Sequence, residues 1–243
     1  MLSCQLVEEK IKCPLPQSED RLMEAFTAHR RLEAEYHDPR AFRYNLNAFL
    51  PSVSSIQQIL QKEIEQRGDV QRWNKVREPF KNDPWLKALA RARNVTLHQQ
   101  AIFDGSLVHI GMYRWRRHKL SVARKLPHDV PSERLLEWFT TTDLGKMFLD
   151  EEHSAWGEEY GVWRQYNVAE ISTTEDVLTM TRRGSIRAHD MLATAHRLYG
   201  VETGNIDDEY LLSRDGLAEV TVLLESDVDP SLPSKWGWHD SMP

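Results

Sequence analysis

The stretch DPWLKALARARNVTLHQQAIF, residues 83–103, decides the fold and carries the strongest chemical signal in the chain. Asp83 and Pro84 predict a helix start, because an aspartate accepts the unpaired N–H groups of a first turn and proline is favoured at the first helical position. Apolar residues then recur at helical spacing and predict an amphipathic helix. They are Trp85, Leu86, Leu89, Ala90, Leu97, Ala101 and Ile102.

A charged residue lies within this apolar stripe, and two further polar residues lie beside it. Arg93 falls within it, and a buried guanidinium is costly unless an anion or hydrogen-bonding group meets it. Asn94 and His98 are four residues apart, so they share a neighbouring face of the helix. The sequence therefore predicts a helix that presents Arg93, Asn94 and His98 beside a core.

Composition sets the broad class of protein. The chain has 243 residues and a formal net charge of -6, which argues against general coating of nucleic acid but leaves room for a local basic patch. Its two cysteines, Cys4 and Cys13, lack the spacing of a metal site or of a disulfide framework. Because neither a signal peptide nor a bilayer-spanning run is evident, we expect a soluble cytoplasmic protein with no membrane partner.

The N-terminal part of the chain predicts helices joined by short links. Residues 1–17 are expected to form a loose arm, and residues 18–105 a four-helix bundle. Ser18 opens the first helix in this interpretation, Asp38 and Pro39 open the second, and Gly68 ends the second.

After Gly105 the spacing of apolar residues changes from helical to alternating. Residues 106–126 alternate apolar and polar positions and predict a β-hairpin, with RRHK (116–119) as its turn. Its basic residues could track a nucleic-acid backbone, although the sequence favours the simpler interpretation that their charge keeps a solvated hairpin edge from aggregating. The candidate nucleic-acid contacts are Arg114, Arg116, Arg117, Lys119, Arg124 and Lys125.

Residues 127–243 are expected to form a second helical region with a docked tail. A capping box at residues 172–175 predicts a helix that ends near Gly200, whereas residues 217–224 fit either a strand or a helix. His189 and His196 lie on this predicted helix without the Glu-x-x-His spacing of di-iron bundles. The sequence predicts no cofactor and no metal site.

RNVTLH, residues 93–98, resembles the Arg-x-x-x-x-His signature of HEPN domains in its Arg-Asn-x-x-x-His form. The preceding helices are similar to HEPN-like proteins in layout, and the resemblance covers roughly residues 18–103. The chain is therefore expected to be mainly α-helical: a HEPN-like helical bundle followed by a β-hairpin and a second helical region.

The resemblance implies a metal-independent endoribonuclease, or in other members of the family a non-catalytic nucleotide-binding or protein-assembly module. In the enzymatic case His98 would transfer protons near neutral pH, Arg93 would stabilise charge on the phosphate, and Asn94 would support them. Arg93 and His98 stand about 140° apart on an ideal helix. Either the long Arg93 side chain sweeps round the helix, or, as the family's dimers suggest, two chains share a composite site at a two-fold axis. The implied partners are RNA, a second copy of the chain and, for a toxin or defence effector, a neutralising protein.

A plain structural alternative also exists. Arg93 would then pair with an acidic residue of the bundle, and His98 would be an ordinary polar residue of the helix.

Overall fold

The structure is a computed structural model of the 243-residue chain. It describes residues 13–98, 106–114, 117–126, 130–132, 134, 158–166, 175–204 and 222–224. Helices dominate the described residues, as predicted. They are α1 (Pro16–Ala34), α2 (Pro39–Gln66), α3 (Val70–Arg77), a 3-10 turn (Glu78–Phe80), α4 (Pro84–His98) and α5 (Val177–Leu198).

Helix α2 begins and ends where the sequence predicts. The Asp38 carboxylate accepts hydrogen bonds from the backbone N–H groups of Arg40 at 2.8 Å and Ala41 at 3.0 Å. Gly68 adopts a positive φ of 77°, and its N–H donates to the carbonyl of Glu65 while that of Asp69 donates to Ile64. This is a Schellman ending, in which a left-handed residue allows the last carbonyls to be satisfied.

Helix α1 begins two residues earlier than predicted. Pro16 occupies its first position, because a proline costs nothing where the N–H is unpaired in any case. The next two N–H groups, of Gln17 and Ser18, donate to the two carboxylate oxygens of Glu63 at 2.8 and 2.9 Å. The expected cap from Ser18 is therefore wrong, and the cap comes from α2 instead.

Helix α5 also has a different start from the predicted capping box. Asp176 is its N-cap, and its side chain accepts the N–H of Leu178 at 2.8 Å. The predicted end is confirmed: Gly200 has a φ of 76°, and the N–H of Val201 donates to the carbonyl of His196. Residues 172–174 of the capping box lie outside the described residues.

A four-stranded antiparallel sheet has the order β2-β1-β3-β4. Strands β1 and β2 fall on the predicted hairpin, but Arg117 to Lys119 belong to β2 rather than to the turn. Strand β3 lies within residues 127–243, which were expected to be helical, so this part of the prediction is wrong. The strands are β1 (Ser106–Arg114), β2 (Arg117–Leu126), β3 (Glu158–Tyr166) and β4 (Val222–Leu224).

The chain divides into two compact units that are not contiguous in sequence. The helical unit contains α1, most of α2, α3, α4 and α5. Helix α5 contacts α1, α3 and α4. The core of this unit is apolar and almost fully buried, with Leu22, Phe26, Leu32, Leu46, Phe49, Leu50, Ile56, Leu60, Ile64, Trp73, Leu89, Leu178 and Leu192 among its members.

The second unit contains the sheet and residues Glu35–Phe42. Its described centre is aromatic: Phe42 stacks on Tyr166 with ring centroids 4.3 Å apart, and the Tyr36 ring lies edge-on to both. The Tyr36 hydroxyl donates to the carbonyl of Arg164 at 3.0 Å, and that of Tyr166 donates to the carbonyl of Tyr36 at 2.9 Å. Both phenols are thus buried with their polar ends satisfied.

Arg164 is fully buried in this second unit. Its guanidinium donates to the carbonyl of Val130 at 2.7 Å and to the Ser132 hydroxyl at 3.3 Å, and it lies over the Tyr166 ring. Burial lowers the pKa of Arg164. These contacts give the buried cation the hydrogen bonds that burial requires.

No helix among the described residues is long and apolar enough to cross a membrane.

Helices α4 and α5 cross closely at a glycine. A Cβ built on Gly184 would overlap the side chain of Leu89, which is 1% exposed and has little room to move. Glycine is therefore used here for close approach of two helices rather than for backbone freedom.

We expect Gly184→Ala to lower the free energy of unfolding by about 1–2 kcal/mol, because overpacking a core costs about 1–3 kcal/mol and outweighs the gain in helix propensity. Urea denaturation followed by circular dichroism measures the change. In a Leu89→Ala background the same substitution should become neutral or stabilising. A stabilised Gly184→Ala single variant would contradict this account of the crossing.

His29 is a buried imidazole on α1. It is fully buried, its ring meets that of Phe49 edge-on at 5.9 Å, and neither ring nitrogen has a hydrogen-bond partner of normal geometry within the described part of the chain. Burial lowers the pKa of His29 to about 4; the nearby backbone of Leu178 opposes this shift, and the charges of Arg182 and Arg30 add to it. The folded protein therefore holds this ring neutral.

We expect this histidine to make stability depend on pH. Between its ordinary value of 6.5 and about 4, the unfolded chain takes up a proton that the folded chain refuses, so stability is present above pH 6.5 and lost toward pH 4. The full effect is about 3 kcal/mol. His29→Leu should flatten the decline between pH 6.5 and 5 in urea titrations, and an unchanged slope would rule out His29 as its source.

Candidate functional site

The helix predicted from residues 83–103 is α4, and the start that the sequence predicts is confirmed. Asp83 Oδ1 accepts hydrogen bonds from the N–H groups of Trp85 and Leu86, both at 3.0 Å. The other oxygen, Oδ2, accepts from Arg187 Nε on α5 at 2.7 Å. One carboxylate thus begins α4 and attaches it to a neighbouring helix.

Arg187 extends this attachment. Its Nη1 donates to Asp190 at 2.9 Å, and its guanidinium lies 4.9 Å from the centroid of the Phe80 ring. The hydrogen bond to Asp83 raises the pKa of Arg187, so its guanidinium stays protonated at any ordinary pH. Arg183, one turn earlier on α5, lies over the Trp85 ring at 4.8 Å.

The buried face of α4 differs in part from the predicted stripe. Leu89 is buried as expected, together with Ala88 and Ala92. Ala90 is exposed, and Trp85 and Leu86 are half-buried. The prediction counted Ala90 as buried and left out Ala88 and Ala92, because alanine residues occur at buried and exposed helix positions alike and so do not show which face is buried.

Arg93 lies at the edge of this buried face and is half-buried. The expected cost of full burial is therefore reduced. Within the described part of the chain, no ion pair or hydrogen bond involves the Arg93 guanidinium. The alternative in which Arg93 pairs with an acidic residue of the bundle therefore finds no such carboxylate among the described residues.

The solvent face of α4 is polar and carries positive charge. Lys87, Arg91 and Asn94 are exposed on it, at the spacing of successive helical turns. His98 is the last residue of the helix, and its position follows Asn94 on the same face by spacing. The His98 side chain lies outside the described residues.

The chain is α-helical from Pro84 to His98, so the angle around the helix axis between positions 93 and 98 is known. Positions 93 and 98 are separated by about 140° around the axis. Arg93 and Asn94 point about 100° apart, with Arg93 at the edge of the buried face and Asn94 on the solvent face, which position 98 shares by spacing. One chain does not place the Arg93 and His98 positions on the same line of the helix.

The basic residues of the hairpin are divided by the strand register. Arg114 pairs with Arg117 on one side and Glu158 on the other, and Arg124 is in register with Val108. Lys125 follows Arg124 and so belongs to the opposite set of alternating positions. Lys119 falls at the register shift between Met112 and Tyr113.

Arg116 and the side chains of the other hairpin candidates lie outside the described residues. Because β-strand positions alternate, the adjacent residues Arg124 and Lys125 fall by register on opposite faces of the sheet.

Sequence spacing missed a group that the fold brings together. Cys13, Glu19 and His196 each offer one ligand atom, and these atoms all lie within 4.8 Å of one another. Their chain separations gave no signal, since Cys13 and His196 are 183 positions apart. A local signal did exist in the Schellman ending at Gly200, which holds His196 in the last turn of α5.

One comparison with known proteins gives a match. Residues 7–112 match the family described as Bacteriophage lambda protein ea47. The matched range includes α1 to α4 and most of β1, and so contains the Arg93–His98 motif. No curated protein and no solved structure matches the chain.

We expect Asp83→Ala to lower the free energy of unfolding by about 1–3 kcal/mol, because it removes a helix cap and a buried partner of Arg187. Asp83→Asn should cost less, since the amide oxygen can still cap α4. Asp190→Ala is the matched control: its exposed pair with the same arginine is worth about 1 kcal/mol or less. Equal effects at Asp83 and Asp190 in urea denaturation would contradict the assigned double role.

Proposed function

We propose that the protein is a HEPN-like, metal-independent endoribonuclease that acts as a homodimer in the cytoplasm. The observation that carries the proposal is the exposed, positively charged face of α4 that leads into the Arg93–His98 motif. Lys87 and Arg91 lie on this face, and Arg93 at its edge has no competing carboxylate among the described residues. Such a face favours contact with a phosphate backbone.

The reaction is cleavage of RNA by its own 2′-hydroxyl. The O2′–phosphorus bond forms, the phosphorus–O5′ bond breaks, and the products carry a 2′,3′-cyclic phosphate and a 5′-hydroxyl. His98 would take the proton of the 2′-hydroxyl or protonate the leaving oxygen, which suits an imidazole near neutral pH. Arg93 would stabilise charge on the phosphate oxygens, with Asn94 supporting the site.

A dimer resolves the separation of the two motif residues. Positions 93 and 98 lie about 140° apart on one helix, so a two-fold axis beside α4 would bring Arg93 of one chain toward His98 of its partner. The hairpin residues Arg114, Arg116, Arg117, Lys119, Arg124 and Lys125 remain candidate RNA contacts under this proposal.

A non-catalytic assembly module is the second candidate. The observation that favours it is the same helical separation, because without a dimer one chain does not align Arg93 with His98. In that case the exposed face of α4 would bind a nucleotide or a protein and carry out no cleavage.

The match of residues 7–112 to a family described as Bacteriophage lambda protein ea47 is compatible with a toxin or defence role for the proposed ribonuclease. A toxin or defence effector of this kind would need a neutralising protein partner. If expression of the wild type is toxic to cells and His98→Ala relieves the toxicity, the result would support a toxin or defence role.

We expect purified protein to cleave RNA in the presence of EDTA, and His98→Ala and Arg93→Ala each to slow cleavage at least about 100-fold. Arg77→Ala is the matched control, because it removes an exposed cation from α3 and should leave the rate unchanged. End-group analysis should find the cyclic phosphate. Equal cleavage by all variants would remove Arg93 and His98 from the mechanism, and no cleavage by any would favour the assembly module.

Mixing the two inactive variants tests the composite site. A dimer of one Arg93→Ala chain and one His98→Ala chain keeps one complete site only if each site draws Arg93 and His98 from different chains. An equimolar mixture should then recover about one quarter of the wild-type rate after subunit exchange. A mixture as inactive as its components, with exchange verified, would contradict sharing between chains.

A further inference from the structure

The cluster of Cys13, Glu19 and His196 in the helical unit has no part in the proposed function. Cys13 precedes α1, Glu19 lies in the first turn of α1, and His196 lies in the last turn of α5. Cys13 Sγ is 3.4 Å from His196 Nε2, and the Glu19 carboxylate is within 4.8 Å of both ligand atoms. A thiol, a carboxylate and an imidazole therefore converge from two helix ends that are far apart in sequence.

These distances suit a small tetrahedral cation. Zinc binds sulfur at about 2.3 Å and imidazole nitrogen at about 2.0–2.1 Å, so the two atoms in a tetrahedral site are roughly 3.5 Å apart. The observed 3.4 Å between Cys13 Sγ and His196 Nε2 is close to this value. The 4.8 Å limit on the carboxylate means that a small adjustment of Glu19 would complete three ligands.

The histidine is already held in the form that binds a metal. Its Nδ1 is 3.1 Å from the carbonyl of Leu192, the geometry in which Nδ1 carries the proton and donates it. The lone pair of Nε2 then faces Cys13, and such a backbone carbonyl is the usual partner of a metal-bound imidazole. His196 is fully buried at the end of α5, so its ring is held in one position by the surrounding packing.

Charge and ligand type narrow the choice of cation. A thiolate and a carboxylate together bring two negative charges, which one divalent cation neutralises. The sulfur ligand selects zinc-class ions over magnesium or calcium. Cys13 and Glu19 are half-buried, so a cation could reach the group from solvent.

We propose that Cys13, Glu19 and His196 bind one divalent transition-metal cation of the zinc class, which ties the start of α1 to the end of α5. This site is independent of RNA cleavage by α4. The metal would act as a cross-link between distant parts of the chain, so its binding would be coupled to the stability of the helical unit.

The test uses the full chain freed of metal by a chelator and then titrated with Zn²⁺ or Co²⁺. We expect one cation per chain, a rise in Tm on saturation, and for Co²⁺ a thiolate charge-transfer band with the intense visible bands of tetrahedral coordination. Cys13→Ser and Glu19→Gln should each raise the Kd for Zn²⁺ at least about 10-fold. Both are half-buried positions, and circular dichroism verifies that the variants fold.

Matched controls separate this site from other thiols and acids. Cys4→Ser and Asp20→Asn should bind Zn²⁺ like the wild type, since Asp20 is exposed beside Glu19 and Cys4 is the second thiol of the chain. Zinc should also protect Cys13, but not Cys4, from alkylation by iodoacetamide.

Three results would overturn the proposal. They are absence of saturable binding by the wild type, unchanged binding by Cys13→Ser, and equal loss in the Cys4→Ser control. In the first case the 3.4 Å contact would be a simple thiol–imidazole hydrogen bond. RNA cleavage is measured separately in EDTA, so failure of either proposal leaves the other intact.

Discussion

The carboxylate of Asp83 is the contact on which the candidate site depends. One oxygen begins α4 by accepting two backbone N–H groups, and the other binds Arg187 of α5. The direction and rotation of α4 are thereby set at its first turn. The close crossing at Gly184 then fixes the same two helices at Leu89. Because α4 is held to α5 at both Asp83 and Leu89, its rotation about its own axis is set, and with it the direction of Arg91 and Asn94.

The start of helix α1 is also capped by a carboxylate, but this one belongs to a residue distant in sequence. The Glu63 carboxylate of α2 accepts the N–H groups of Gln17 and Ser18, and the Ser18 hydroxyl also donates to it. Glu63 is buried, so this carboxylate would be costly without its three donors. This tertiary cap holds the first turn of α1, which also carries Glu19.

The helices were predictable from the sequence because their signals are local. Asp38, Gly68 and Asp83 each specify a helix end through their own backbone or side chain, and the long apolar stripe of α2 specifies its buried face. What failed were features set by distant contacts. The start of α1 depends on Glu63, some 45 positions away, and β3 is recognisable as a strand through its pairing with β1 and β4. For the candidate site, the positions of Arg93 and Asn94 followed from helical period, whereas the approach of Cys13 to His196 had no sequence counterpart.

The order in which the chain is made gives α5 a particular importance. Helix α4 ends at His98 and α5 at Leu198, and α5 contacts α1, α3 and α4. At about 5–20 residues per second, a ribosome needs on the order of ten seconds to add the intervening chain. During that interval Leu89 and His29 lack the helix that covers them, and the nascent helical unit exposes apolar surface to solvent and to chaperones. Docking of α5 is thus a late, long-range event, and a chain released before residue 198 would lack the helix that completes this unit.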